Sequence, residues 1–211
     1  MTSIATPSRT RSRKIRALLA GGVVLGVGAA ATLAAWNDSE FADGTFSAGV
    51  FNLQGSTTSA TDGYADHPTA DGAAALSFTA PVSNLSPGDV VYAPFWVRLA
   101  ADTTSPATLD LVSIDSTDTT GGNSSQLSYA VYGIDADAAC DASATGGTLL
   151  GSAATLADNA AIAGATTELP IGDPTSDPGE ATQVCFVITA AAGLEQGGVT
   201  TATWQLTATT D

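Results

Sequence analysis

Carboxylates are the most abundant side chains here that could do chemistry. The chain of 211 residues carries 21 Asp and Glu, and three of them, Asp135, Asp137 and Asp141, lie close together in sequence. Oxygen ligands at such short spacing can bind Ca²⁺. The segment departs from an EF-hand loop, because Ala139 and Cys140 stand where a third ligand and the sharp-turn glycine belong. Two interpretations stay open: a calcium site, or the commoner solvated acidic loop.

No catalytic set accompanies these acids. The single histidine, His67, lies in a polar loop, where we expect it to be exposed to solvent. The sequence contains neither H-E-x-x-H nor G-x-S-x-G, the motifs of zinc peptidases and of serine hydrolases. A two-carboxylate hydrolase is formally compatible with the composition, but spacing selects no pair. The sequence therefore predicts no enzyme, no catalytic residue and no cofactor apart from the calcium candidate.

The N-terminus has the order of a secretory signal peptide. All but one of the Lys and Arg residues precede Ala17, and an uncharged run rich in Ala, Gly, Val and Leu follows as far as Leu33. That run is short and weakly apolar for a permanent membrane span. Small side chains at Thr32 and Ala34 favour cleavage between Ala34 and Ala35. We expect removal of this leader, the alternative being an uncleaved anchor.

Two motifs follow the leader. The first combines residues 33–38 (LAAWND) with 44–53 (GTFSAGVFNL), and the second is 82–89 (VSNLSPGD). Together they resemble the beginning of the TasA/camelysin family, exported proteins of Gram-positive bacteria that a dedicated signal peptidase of the SipW type processes. Beyond Leu99 the sequence is similar to the family only in general character.

The resemblance implies a fold, a function and a mode of assembly. It implies a jelly-roll-like sandwich and a secreted fibre or biofilm-matrix subunit at the cell surface. Its partners would be further copies, related matrix proteins and the signal peptidase. A segment bearing Trp36, Phe41 and Phe46 would add as a strand to the next subunit; alternatively, these aromatics begin the domain's own core. Camelysin relatives have been classed as metallopeptidases, but this sequence lacks their zinc chemistry.

The two cysteines, Cys140 and Cys185, form an even set in a chain that we expect to be exported. Exported proteins favour disulfides, and we predict a Cys140–Cys185 bond, with two buried free thiols as the alternative. A zinc site is disfavoured, because neither a CxxC spacing nor a neighbouring histidine is present.

The charge of the part after the leader excludes several partners. Arg98 is its only strong base against 21 acids, a net charge of −20. Nucleic acids and anionic lipid surfaces require basic protein surfaces, so neither is an expected partner. We expect Arg98, on the polar face of a strand, to form a cross-strand ion pair.

The remaining pattern is one of short strands separated by turn residues. We predict strands at 45–53, with a bulge near Val50, and at 74–78, 90–99, 107–114, 127–134, 168–171, 183–189 and 199–209, together with a strand or helix at 149–156. Polar loops are expected at 54–72 and 117–125, and a turn at 86–89. Pro94 requires an edge position or a bulge.

Seven to nine such strands predict an all-β, antiparallel β-sandwich preceded by a cleaved signal peptide. We expect a leader at 1–34, an extension and candidate donor strand at 35–44, and one domain at 45–211. The leading function is that of a secreted structural protein. A camelysin-like metallopeptidase and a monomeric surface binding module are the alternatives.

Overall fold

The computed structural model describes residues 9–31, 39–45, 47–79, 84–158, 162 and 164–210. Backbone contacts divide the chain into two compact units, Met1–Phe46 and Ser47–Asp211. The first unit contains one helix, α1, Arg9–Ala31, which spans much of the basic head and the apolar run. In the parts of the chain that the structure describes, no helix is both long and apolar enough to cross a membrane.

In its described residues, the second unit has eight strands in two antiparallel sheets. They are β1 (Leu53–Ser56), β2 (Val90–Leu99), β3 (Ala107–Thr120), β4 (Leu127–Asp135), β5 (Thr148–Ala153), β6 (Thr167–Leu169), β7 (Thr182–Ala190) and β8 (Val199–Thr210). One sheet has the order β1-β2-β7-β4-β5 and the other the order β6-β3-β8. The predicted all-β, antiparallel sandwich is therefore confirmed.

Alternation of apolar and polar residues decides which strand faces form the core. In β2, Val91, Ala93, Val97 and Leu99 are buried, with exposed fractions of at most 1%. The same alternation holds in β4, where Leu127, Tyr129 and Val131 point inward. These side chains meet those of the three-stranded sheet in one hydrophobic cluster. Burial of this apolar surface is the main favourable term that holds the sheets together.

A bulge in β3 changes which side chains share a face. With regular alternation, Leu111 and Ile114 would lie on opposite faces, since three positions separate them. The pairing with β8 instead slips between Leu111 and Ser113, leaving Val112 as the extra residue. Ile114 therefore returns to the buried face, while Val112 is 45% exposed.

Two loop boundaries also differ from the prediction. The strand predicted at 45–53 is wrong, because strand β1 covers Leu53–Ser56 instead. Before β1, the Val50 carbonyl accepts from the Thr104 amide and the Asn52 carbonyl accepts from the Ala100 amide. These residues therefore form a loop and not a strand. The polar loop expected from 117 begins later, because β3 continues along β8 to Thr120.

A carboxylate anchors this late part of β3. Asp118 accepts hydrogen bonds from the backbone amide of Ser124 at 3.0 Å, from its hydroxyl at 2.6 Å and from the hydroxyl of Thr200 at 2.5 Å. The side-chain hydrogen bonds from Ser124 and Thr200 lower the pKa of Asp118 below its ordinary value. One ionised side chain thus ties the end of β3, the following turn and β8 together.

Pro94 and the 86–89 turn fit their expected roles. Strand β1 pairs with β2 only from Leu99 to Trp96, so Pro94 lies beyond the last residue of β1. Because β1 does not reach it, the missing N–H of Pro94 costs no hydrogen bond to β1. The turn is closed by the Asp89 amide, which donates to the Ser86 carbonyl at 3.0 Å. Gly88 has φ +92, a conformation that favours glycine.

Candidate functional site

One side of the sandwich is open, and a groove lies along it. Strand β1 ends the five-stranded sheet and strand β8 ends the three-stranded sheet, and residues of both line a cavity of about 1090 Å³. A second cavity of about 700 Å³ shares Phe78, Ala202 and Trp204 with it. The inner residues of β8, namely Ala202, Trp204, Leu206 and Ala208, pack on the core, yet they are only partly buried. The inner face of β8 is thus incompletely covered.

The backbone of β8 is an unprotected sheet edge. At 12 residues β8 is much longer than the other terminal strands, β1, β5 and β6, which have 4, 6 and 3 residues. Natural proteins usually block such edges with charges, prolines or bulges. The sequence of β8, VTTATWQLTATT, contains neither charge nor proline. Within the described ranges, no backbone hydrogen bond reaches its outer edge.

Aromatic rings form the floor of the groove. The Trp204 ring centroid lies 5.0 Å from that of Phe186 and 6.3 Å from that of Tyr129, in tilted and edge-to-face arrangements. Neither the Trp204 Nε1 nor the Tyr129 hydroxyl, both buried, has a hydrogen-bond partner among the described residues. Burial, followed by the negative charge of Asp158, raises the pKa of Tyr129. The contact energy of these rings therefore comes from packing and not from hydrogen bonding.

A chain segment lies beside β8 without joining it. We predicted a strand at 74–78, and that prediction is wrong, since this segment forms no ladder with another strand. Its alternation is nevertheless real: Leu76 and Phe78 are partly buried against the core, whereas Ser77 is exposed. Both apolar side chains line the groove together with β8. We call residues 73–79 the groove segment.

The calcium candidate is not assembled. Asp135, Asp137 and Asp141 are exposed, and they belong to no group of three metal-binding side chains within the described residues. Asp141 instead caps a short 3₁₀ helix, Ala142–Gly146, by accepting from the amide and hydroxyl of Ser143 at 2.8 and 2.7 Å. The hydroxyl bond is the largest cause of its lowered pKa. The exposure of the three carboxylates is what the alternative interpretation, a solvated acidic loop, describes.

This loop, residues 135–146, is fastened to the outer face of the five-stranded sheet. The predicted disulfide Cys140–Cys185 is present, with the Cα atoms 5.3 Å apart. The Trp96 indole donates to the Ala136 carbonyl at 2.9 Å. The buried Gln183 side chain donates to the carbonyls of Ala136 and Ala138, each at 3.0 Å. Carbonyls that could have faced a cation therefore bind the sheet instead.

Gly146 and Gly147, at the end of this loop, are expected to differ in how well they tolerate an added side chain. Gly147 has φ −82, which any residue adopts, but an added Cβ would meet the Gly133 carbonyl and the Ile134 side chain, whereas Gly146 has open space. We expect Gly147→Ala to lower the free energy of unfolding by about 1–3 kcal/mol. Gly146→Ala is the matched control, expected to change it by less than about 0.5 kcal/mol. Urea denaturation of both variants measures this; equal effects would contradict the contact.

His67 lies at the rim of the groove and is exposed, as predicted. Its ring centroid lies 6.3 Å from that of Phe95 in an edge-to-face contact. The neighbouring carboxylate, Asp66, accepts from the Asn52 amide at 3.0 Å. Across the described part of the chain, no three His, Cys, Asp or Glu side chains are grouped to hold a metal ion. The groove thus combines apolar side chains, such as Phe78 and Trp204, with polar ones, such as Asp66 and Asp115, beside a backbone edge that no described residue pairs with.

Arg98 does not make the predicted cross-strand ion pair. The residue opposite it on β1 is Gln54, so the acid that such a pair requires is missing from that position. The guanidinium carbon lies 3.7 Å from the centroid of the Tyr64 ring instead, a cation–π contact. Burial raises the pKa of Tyr64, and the nearby Arg98 charge partly offsets this rise.

The residues expected to act in export and assembly are only partly placed. The cleavage site residues Ala34 and Ala35 and the aromatics Trp36 and Phe46 lie outside the described residues. Phe41 is described, and 93% of its surface is exposed. Sequence reasoning missed the open edge of β8, although the absence of charge and proline in 199–210 was a readable signal.

No protein-family model matches this chain, and no curated protein matches it either.

Proposed function

We propose that this chain is exported, loses residues 1–34 to a dedicated signal peptidase, and acts as a structural subunit of fibres at the cell surface or in a biofilm matrix. Subunits would assemble by strand addition: the N-terminal segment of one copy would pair with the free edge of β8 in the next. The resemblance to the TasA/camelysin family motivates this proposal, and the open groove beside β8 supports it.

The observation that carries the proposal is the combination of an unblocked edge with an incompletely covered core face. A strand added to β8 would pair with its free N–H and C=O groups, and every second side chain would enter the groove. Backbone pairing and side-chain burial would occur at the same place, because Trp204 and Leu206 of β8 line the groove. A disulfide-bonded sandwich with a net charge of −20 after the leader also fits an extracellular protein.

The length of the N-terminal segment suits the acceptor. Residues 35–46, the extension together with Phe46, would extend over about 40 Å as a strand, about the length of the 12 residues of β8. In an extended strand, side chains separated by an even number of positions share a face. Trp36 and Phe46 would therefore point to one face and Phe41 to the other. We propose that the face with two aromatics enters the groove.

The proposal is tested by purifying the chain from Ala35 and imaging it by negative-stain electron microscopy. We expect filaments at 0.15 M salt and fewer at 0.01 M, because salt screens the repulsion between subunits that each carry about −20 charges. A chain that begins at Thr45 is the control and should remain monomeric, since it lacks residues 35–44 and keeps only the last two residues of the donor strand.

Two outcomes would contradict the proposal. Filaments that form equally well from the Thr45 chain would rule out strand addition by residues 35–44. Chelator-sensitive hydrolysis of casein by the purified Ala35 chain would favour the peptidase instead. N-terminal sequencing of the protein from culture supernatant tests export, with Ala35 as the expected first residue.

A further inference from the structure

We propose that the groove segment, residues 73–79, is an internal occupant of the acceptor groove that the incoming strand of a second copy displaces. This inference rests on the proposed function and adds a regulatory step to it. Its basis is the position of Leu76 and Phe78, which line the same groove as β8, together with the lack of backbone pairing between the two segments.

The side chains of the groove segment alternate between buried and exposed, as those of a strand do. Ala74, Leu76 and Phe78 are partly buried, while Ala75 and Ser77 between them are exposed. This alternation has the period of a strand with one face on a core. Leu76 and Phe78 pack against the hydrophobic cluster. The groove segment thus covers part of the apolar surface that a donor strand would cover.

The backbone of the groove segment does not form the ladder hydrogen bonds of a strand with the described residues. Its hydrogen bonds lie at its two ends: the Ala73 amide donates to Ala70, and the Thr79 amide donates to Tyr92 at 2.9 Å. Between them, residues 74–78 make no backbone hydrogen bond to any described residue. The outer edge of β8 likewise makes no backbone hydrogen bond to any described residue. An incoming strand that pairs with β8 would therefore gain ladder bonds that the groove segment lacks.

This difference in backbone hydrogen bonding would let the groove segment regulate when strand addition occurs. While it lies in the groove, Leu76 and Phe78 shield the apolar floor, so a monomer exposes less surface to non-specific association. The incoming strand must displace these two side chains, which lowers its apparent affinity by the cost of their removal. The segment remains attached at Thr79 through β2, so displacement would move residues 73–78 and leave the sheet intact.

The test uses hydrogen exchange on the compact unit Ser47–Asp211, with a synthetic peptide of residues 35–46 as the donor. We expect the peptide to slow exchange in β8 and to leave the amides of 74–78 in fast exchange. A fluorophore at position 75, attached through an unnatural side chain, should receive less energy transfer from Trp204 when the segment moves away from the groove. Ala75 suits this label because it is exposed.

The outcomes separate the inference from the function on which it rests. Slower exchange in β8 without movement of the label would overturn displacement and leave strand addition standing. No change in β8 at any peptide concentration would overturn both. Slower exchange in β8 accompanied by movement of the label would support both.

A variant pair provides a second measurement. Phe78→Ser removes an apolar contact of the groove segment, and we expect the peptide to bind about tenfold more tightly, because displacement then exposes less apolar surface. Ser77→Ala is the matched control on the exposed side and should leave peptide affinity unchanged. Weaker binding to the Phe78→Ser variant, with its thermal unfolding still cooperative, would show that Phe78 supports the donor strand and would overturn the inference.

Discussion

Replacing Cys140 and Cys185 together by alanine lowers the free energy of unfolding by about 4 kcal/mol, and we expect the midpoint of thermal unfolding to fall by roughly 8–16 °C. The bond closes a loop with a sequence separation of 45. Opening that loop raises the conformational entropy of the unfolded chain. The double variant also loses a contact in the native state, because the disulfide fastens residues 135–146 to the sheet. This loss lowers the free energy of unfolding further.

Differential scanning calorimetry of the oxidised chain and the double variant measures this effect. Trp96→Phe is the control: it removes the hydrogen bond from the Trp96 indole to the Ala136 carbonyl and keeps the disulfide, so we expect a loss of about 1 kcal/mol. A double variant as stable as the parent would show that the loop is held by its hydrogen bonds from Trp96 and Gln183 alone.

Trp204→Ala is the second large effect, with an expected loss of about 2–3 kcal/mol in the free energy of unfolding. The side chain packs against Phe186 and Tyr129, and its removal leaves a void in the groove floor. The value lies below that of a fully buried tryptophan, because Trp204 is only partly buried.

Trp204→Phe separates packing from hydrogen bonding. The Trp204 Nε1 has no partner among the described residues, so losing it forfeits no hydrogen bond, and we expect a change below about 1 kcal/mol. Gln205→Ala, on the exposed face of β8, is the control for the strand itself. Urea denaturation compares the three variants. Equal losses for alanine and phenylalanine at position 204 would mean that the indole N–H is bonded in solution.

The fold class could be predicted because it depends on local patterns. Strands β2, β4, β7 and β8 were found near their true bounds, since apolar alternation with β-branched residues is visible in any window of the sequence. The disulfide was equally predictable, because two cysteines allow one pairing. The Ser86–Asp89 turn followed from its proline and glycine.

The errors arose where a neighbouring segment decides the outcome. A bulge at Val112 changed the faces of β3, and no local pattern marks the position of an extra residue. Residues 74–78 alternate like a strand but lack a partner, because ladder bonds depend on what lies alongside. Arg98 met the Tyr64 ring and not an acid, since Gln54 occupies the opposite position on β1.

The sequence by itself determined that this is an all-β sandwich with a disulfide, because side-chain alternation and cysteine number are properties of single segments. Only the tertiary structure decided which strands end each sheet, and therefore that β8 presents a long unpaired edge above a partly covered aromatic floor. Edge and groove exist only as relations between segments far apart in sequence, and their energies arise when those segments are brought together.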